Sequence, residues 1–172
     1  MIVGLTGGIG SGKTTALNCF KKFKNVAVYI ADVEAKKLMI SSPVVREKLH
    51  NAFGDEVFID QELNRSLLAK IVFSDKQKLQ LLNAIVHPEV AIHFKNFVNN
   101  NKDKAYVLYE NAILFETKND HFCDCVITVC AALEARISRI IKRDATTRTA
   151  VLDRMKNQFS DEKKMLQSHY VI

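Results

Sequence analysis

Only two prolines and six glycines punctuate the 172 residues, and five of those glycines fall between Gly4 and Gly12 inclusive. With 48% apolar and 26% charged content, the composition excludes a disordered tail and fits one globular domain long enough to bury a sizeable core. Four cysteines are too sparse for a disulfide scaffold in a chain of this length. Cys123, Cys125 and Cys130 lie in an apolar run and read as strand thiols; their spacing is wrong for zinc and a fourth ligand is missing. No signal peptide precedes the first strand-like run and no apolar stretch approaches the length of a membrane span, so the expected compartment is the reducing cytoplasm.

Arginine-rich runs and RNP-like aromatic motifs are also absent, which argues against a nucleic-acid partner. The net charge of +6 is ordinary for a small soluble domain, or else it marks a surface that meets anions. Its distribution favours the second reading. Residues 136–164 carry nine Lys/Arg against four Asp/Glu, so the excess is concentrated late in the chain.

Alternating strand and helix patterns predict an α/β domain with a mostly parallel sheet. Strands are expected at Ile2–Thr6, Val26–Ala31, Ala105–Tyr109, Cys125–Cys130 and Tyr170–Ile172. Helical spacing runs through Lys13–Phe23, Val33–Ile40, Leu133–Ile141, Ala150–Phe159 and Asp161–Ser168, and a short helix is expected to begin at Ile113. Residues 41–101 read as almost wholly helical apart from Val57–Ile59. Ser42-Pro43 and Asn64 serve as helix starts, Ser74 caps a further helix, and Pro88 breaks and restarts it. The organisation expected is a core of residues 1–40 and 102–172, with a lid around 139–160 and a helical insertion at 41–101.

The decisive motif is Gly7-Gly-Ile-Gly-Ser-Gly-Lys-Thr14, a full G-x-x-x-x-G-K-[ST] match between an apolar strand and an amphipathic helix. Triphosphates need a concave set of backbone N–H donors. Gly8, Gly10 and Gly12 keep Cβ atoms out of the way, Ser11 lies among them, and the helix beginning near Thr14 and Thr15 aims its positive dipole end at the anion. Lys13 supplies a point charge for the β- and γ-phosphates, and the Thr14 hydroxyl suits Mg²⁺. A GTPase is not expected. Its D-x-x-G switch is missing, and Asn101-Lys-Asp-Lys104 has Lys where the base-reading N-K-x-D motif needs Asp.

Asp32, at the end of the second strand, reads either as the base that takes a proton from an attacking hydroxyl or as a helix N-cap. Glu110, closing the third strand, and Glu116 read as Mg²⁺ or substrate contacts, or as solvated surface acids. Arg139, Arg143 and Arg148, with Arg136, read as a guanidinium clamp on a closing lid or as a basic solvated face. His87 before Pro88 reads most simply as a helix-end residue.

Taken in order, these residues resemble the dephospho-CoA kinase family along essentially the whole chain. The likeness rests on Leu5-Thr-Gly-Gly-Ile-Gly-Ser-Gly-Lys-Thr14, Asp32, Phe53-Gly54, Leu63-Asn-Arg65 with Leu68, His87-Pro88, Ile113-Leu-Phe-Glu116, Arg139, Lys142-Arg-Asp144, Arg154 and Gln158. The resemblance implies a five-stranded parallel sheet of P-loop kinase type with a helical substrate-binding insertion and a helical lid. It implies ATP-dependent phosphorylation of the ribose 3′-hydroxyl of dephospho-CoA, with Mg²⁺ as cofactor. Asp32 would then be the base, and Arg65 and the region of His87 would belong to the acceptor side, with Glu110 and Glu116. Arg139, Arg143 and Arg148 would belong to the lid. Where the family often has Asp-x-Pro-Leu-Leu-Phe-Glu, this chain has Glu110-Asn-Ala-Ile-Leu-Phe-Glu116. Family members also continue beyond the last strand into an adenine-holding loop and a terminal helix, whereas this sequence ends at Ile172. A nucleoside or nucleotide kinase of the same fold, and a nucleotide-dependent switch or nucleic-acid-binding ATPase, are the alternative readings.

Overall fold

The computed structural model describes residues 1–60 and 62–172. Its strands are β1 (Ile2–Thr6), β2 (Val26–Ile30), β3 (Phe58–Ile59), β4 (Glu62–Leu63), β5 (Tyr106–Glu110), β6 (Cys125–Thr128) and β7 (Tyr170–Val171). Its α-helices are α1 (Lys13–Phe20), α2 (Ala31–Ser41), α3 (Pro43–Phe53), α4 (Arg65–Ser74), α5 (Lys76–Asn99), α6 (Leu133–Asp144), α7 (Arg148–Met155) and α8 (Asp161–Leu166). They form two compact units, residues 1–30 with 101–172 and residues 31–100.

The first unit is built on a five-stranded sheet in the order β2-β5-β1-β6-β7, with every pairing parallel. Parallel strands covered on both faces read as continuous apolar runs, and Ile2-Val-Gly-Leu and Tyr106-Val-Leu-Tyr are such runs. Val3, Leu5, Leu17, Leu108 and Val129 make its buried cluster. A second cluster of Ile137, Ile140 and Val151 fastens α6 to α7. The register sets Leu5 of β1 and Ile30 of β2 on either side of Glu110 in β5, so three strands finish side by side at one carboxyl edge. Ligands of open α/β sheets collect at that edge.

Several local expectations are corrected. Ile113 does not begin a helix. Asn111 Oδ1 accepts from the Ile113 N–H at 3.0 Å, the contact a helix cap would make, but residues 112–118 remain turns around buried Leu114 and Phe115. Asp32 neither ends β2 nor caps α2: the strand closes at Ile30 and Asp32 is already inside the first helical turn.

In the second unit, Ser42 caps α3 by accepting from Val45 N–H at 3.3 Å, with Pro43 in the first turn, and Gly54 ends the helix at φ +84°. Asn64 caps α4 through Leu67 N–H at 3.1 Å. The cap of α5, however, is Asp75 and not Ser74: its Oδ1 accepts from Gln77 and Lys78 N–H, while Ser74 closes α4. Pro88 does not break α5, which runs unbroken from Lys76 to Asn99. The lost backbone hydrogen bond is offset by a stripe of Val86, Val90 and Phe94, four residues apart and all buried, that continues across the proline. The non-helical stretch at Val57–Ile59 is a 3₁₀ turn leading into an antiparallel β3–β4 pair; its β4 half was not expected. No helix among the described residues is long and apolar enough to cross a membrane.

The cysteines are free thiols and differ in exposure. Burial, then the charges of Asp120, Cys125 and Asp124, push the Cys123 thiol up to about 12, whereas Cys19 is exposed on α1. The thiolate is the nucleophile. Brief iodoacetamide treatment at pH 8 should therefore alkylate Cys19 first and leave Cys123 intact until the protein is denatured, as read by peptide mass spectrometry. Equal labelling of both in the folded protein would contradict this burial.

Candidate active site

β1 ends at Thr6 and α1 begins at Lys13, so the six residues between them form a loop at the carboxyl edge of the sheet. Gly12 caps α1 in the left-handed region without a side-chain bond. Two positions show why the loop needs glycine. A Cβ on Gly8 would lie 2.1 Å from the Arg136 guanidinium, and Gly10 combines φ +80° with a Cβ position 2.8 Å from the Arg136 carbonyl oxygen. The Ser11 N–H closes a tight turn onto Gly8 O at 3.1 Å.

The outer carbonyls of this loop are held by α6. Arg136 Nε donates to Ile9 O at 3.0 Å, and one Arg139 nitrogen donates to Gly10 O at 3.2 Å and Ser11 O at 3.3 Å. Gln158 Oε1 accepts from the Ile9 N–H at 2.8 Å. Carbonyl dipoles that would repel a phosphate are thus matched to guanidinium charge. Lys13 Nζ arches back over the loop, donating to Gly7 O at 2.8 Å and Gly8 O at 3.4 Å. Ser11 is buried, and its Oγ takes no hydrogen-bond partner from the described residues, so a hydroxyl inside the loop suits an added anionic oxygen. Thr14 and Thr15 follow, exposed, in the first turn of α1.

This cradle fits a nucleoside triphosphate. It also fits Mg²⁺ in the form that accompanies one. No group of three or more His, Cys, Asp or Glu side chains is gathered for a metal among the described residues. Mg²⁺ is usually held by few protein ligands alongside phosphate oxygens and water, and the Thr14 hydroxyl is a hard oxygen donor of that kind.

The other expected site residues divide into groups. Glu110 ends β5 beside the strand end that leads into the loop, and Asp32 stands two residues past the end of β2. Arg139 touches the loop, but Arg143 and Arg148 are held elsewhere by carboxylates. Arg143 forms a double hydrogen bond with Asp144, at 2.7 and 3.1 Å, which also takes Arg154 at 2.7 Å. The Arg143 and Arg154 guanidiniums hold the Asp144 carboxyl down at about 2. Arg148 is paired in bidentate fashion with Glu134, both bonds 2.6 Å and solvent-exposed. Such surface pairs contribute little and break readily.

Glu116 is neither a solvated acid nor open to a ligand. Its oxygens accept from fully buried Lys164 at 2.7 and 3.0 Å, and Oε1 also accepts from Phe159 N–H. In the second unit, Arg65 opens α4 and, with Ile40, Ile59 and Asn64, lines a cavity of about 760 Å³. His87 lies on α5 in the same unit, surface-accessible yet crowded enough that desolvation lowers its pKa.

Arg136, Gln158 and Lys164 are the residues whose roles the sequence underplays. Arg136 lies three positions before Arg139 and so shares its helical face, a signal that was available. Lys164 gives none, since a lysine in a short charged helix reads as surface, yet it has no exposed area.

Chains named dephospho-CoA kinase from Bacteroides fragilis and Fusobacterium nucleatum are each 36% identical, spanning 99% and 100% of this chain and 82% and 88% of their own length. The fold is similar to that of a Thermus thermophilus protein of known crystal structure, with a TM-score of 0.87 at 31% identity, covering 99% of this chain and 86% of that one. A shikimate kinase from Acinetobacter baumannii shares the fold alone, at TM-score 0.54 and 15% identity, covering 99% of this chain and 82% of its own. The sequence model of dephospho-CoA kinases matches residues 1–172 from end to end, and the chain belongs to that family.

Proposed function

We infer that this chain is a dephospho-CoA kinase, transferring the γ-phosphoryl group of ATP to the ribose 3′-hydroxyl of dephospho-CoA to give CoA and ADP. The observation that carries the reading is the glycine loop braced by Arg136, Arg139 and Gln158, within a chain matched by the family along its whole length.

Phosphoryl transfer asks the protein mainly for positioning and charge stabilisation. The loop amides and Lys13 hold the phosphates, the ammonium moving from the Gly7 carbonyl onto phosphate oxygens. Asp32 accepts the proton of the 3′-hydroxyl as its oxygen attacks the γ-phosphorus and the bond to the β-phosphate oxygen breaks. Asp32 is carried by the first turn of α2, directly after β2. Mg²⁺ held by Thr14 would offset charge on the β- and γ-phosphates. Arg139 contributes positive charge at the loop. Arg143 and Arg148 join it by exchanging the exposed carboxylates of Asp144 and Glu134 for phosphate oxygens. Glu110 orients the acceptor at the sheet edge, and Arg65 and His87 bind its more distant parts. Glu116 acts instead through Lys164, inside the fold. The reaction consumes a cytoplasmic metabolite and needs no nucleic acid or membrane.

An acceptor panel tests this reading. Dephospho-CoA, adenosine, AMP and shikimate are each incubated with Mg-ATP, and ADP release is followed by chromatography. Only dephospho-CoA should release ADP stoichiometrically with a new product. Turnover of adenosine or AMP in its place would make the chain a nucleoside or nucleotide kinase.

A further inference from the structure

The stretch Gln158–Lys164 reaches both the phosphate loop and the interior of the first unit. At its start, Gln158 Oε1 accepts from the Ile9 N–H at 2.8 Å, and the Phe159 N–H donates to Glu116 Oε1 at 2.8 Å. Midway, Asp161 Oδ2 pairs with Arg136, the residue whose Nε donates to Ile9 O. At its end, Lys164 Nζ donates to Glu116 Oε1 at 2.7 Å, Glu116 Oε2 at 3.0 Å and Ala112 O at 3.0 Å. An ammonium group has three N–H bonds, and these are three acceptors. Lys164 has no exposed surface, and a buried charge is tolerated only when paired and hydrogen-bonded in this way.

Ile9 is therefore gripped on both sides, its N–H by Gln158 and its carbonyl by Arg136. Gln158 belongs to the stretch itself, and Arg136 is fastened to it through Asp161. The stretch is in turn pinned to the turn after β5 by the buried ion pair. We propose that Lys164 and Glu116 are positioning residues for nucleotide binding: they fix residues 158–164 so that Gln158 and Arg136 hold the phosphate loop at Ile9 in its anion-binding shape. The proposal rests on the loop being the ATP site. A loop already in its bound shape loses little freedom on binding, whereas a released loop binds only through the fraction of molecules in the competent shape.

A double-mutant cycle on nucleotide affinity tests this, using calorimetric titration of the full chain with the Mg²⁺ complex of a non-hydrolysable ATP analogue. Gln158→Ala removes the grip on the Ile9 N–H and leaves the Arg136 contact and the buried pair in place; Lys164→Met removes the pair. Each should weaken binding roughly three- to tenfold, and the double variant should bind no worse than the weaker-binding single, because releasing residues 158–164 already frees the Gln158 contact that Gln158→Ala removes. Lys164→Arg, which keeps the charge and the donors, should recover much of the loss. A Lys164→Met protein that melts at lower temperature but binds the analogue like wild type would overturn the proposal, as would losses that multiply in the double variant. If Lys164→Met does not fold, Glu116→Gln, with the same shape and one remaining acceptor oxygen, takes its place. The cycle reads nucleotide affinity alone, so the choice of acceptor can be wrong without altering its outcome.

Discussion

Asp32→Asn should lower kcat for dephospho-CoA by about 10²- to 10⁴-fold, the usual weight of general-base catalysis, while leaving ATP affinity within about twofold of wild type. The split follows from where the residue stands. Asp32 lies in the first turn of α2, after β2, and makes no part of the glycine loop between β1 and α1. Asparagine keeps the size and the hydrogen-bonding oxygen but cannot take a proton. Steady-state kinetics with a direct ATP-binding titration would read both quantities. Near wild-type turnover would remove Asp32 from the chemistry, and a parallel loss of ATP binding would mean that it serves the fold or the donor site.

Lys13→Ala should also be severe, with a fall in kcat of roughly 10²- to 10³-fold and, unlike Asp32→Asn, weaker ATP binding as well. Lys13 is the first residue of α1, and its ammonium already reaches the loop carbonyl of Gly7 at 2.8 Å. The charge that stabilises the bound triphosphate also stabilises the transferring group, so in the variant KM rises and kcat falls. Lys13→Arg should recover only part of this, because a planar guanidinium does not fit the space of a compact ammonium. Unchanged turnover in Lys13→Ala would contradict the phosphate-loop assignment itself.

Much of this arrangement was legible in the sequence, for identifiable reasons. The apolar run Ile2–Thr6 feeding a cluster of glycines and then Lys13-Thr14 carries the sheet, the loop and the helix in one motif. The five parallel strands followed from apolar runs separated by helical patterns, and the caps at Ser42 and Asn64 from short local chemistry. What was misread depended on contacts remote in sequence. Pro88 stays inside α5 because a buried apolar stripe continues past it. Ile113 starts no helix although the Asn111 side chain accepts from its N–H as a cap would; residues 112–118 are turns that bury Leu114 and Phe115. Glu116 and Lys164 stand 48 positions apart, and nothing near either announces that they are paired and buried. Arg143 and Arg148 fall outside the helical patterns read at Leu133–Ile141 and Ala150–Phe159, yet they lie in the last turn of α6 and at the start of α7, and only the structure reveals the carboxylates of Asp144 and Glu134 that hold them.

The most direct test of the central claim is to follow the phosphoryl group itself. ATP labelled at the γ-phosphorus, with Mg²⁺ and dephospho-CoA, should give a single labelled product with the mass of CoA. Its phosphorus resonance should couple to the ribose 3′ proton, and the product should be lost with Lys13→Ala. Label recovered as inorganic phosphate, on another ribose position or on a different acceptor would contradict the account.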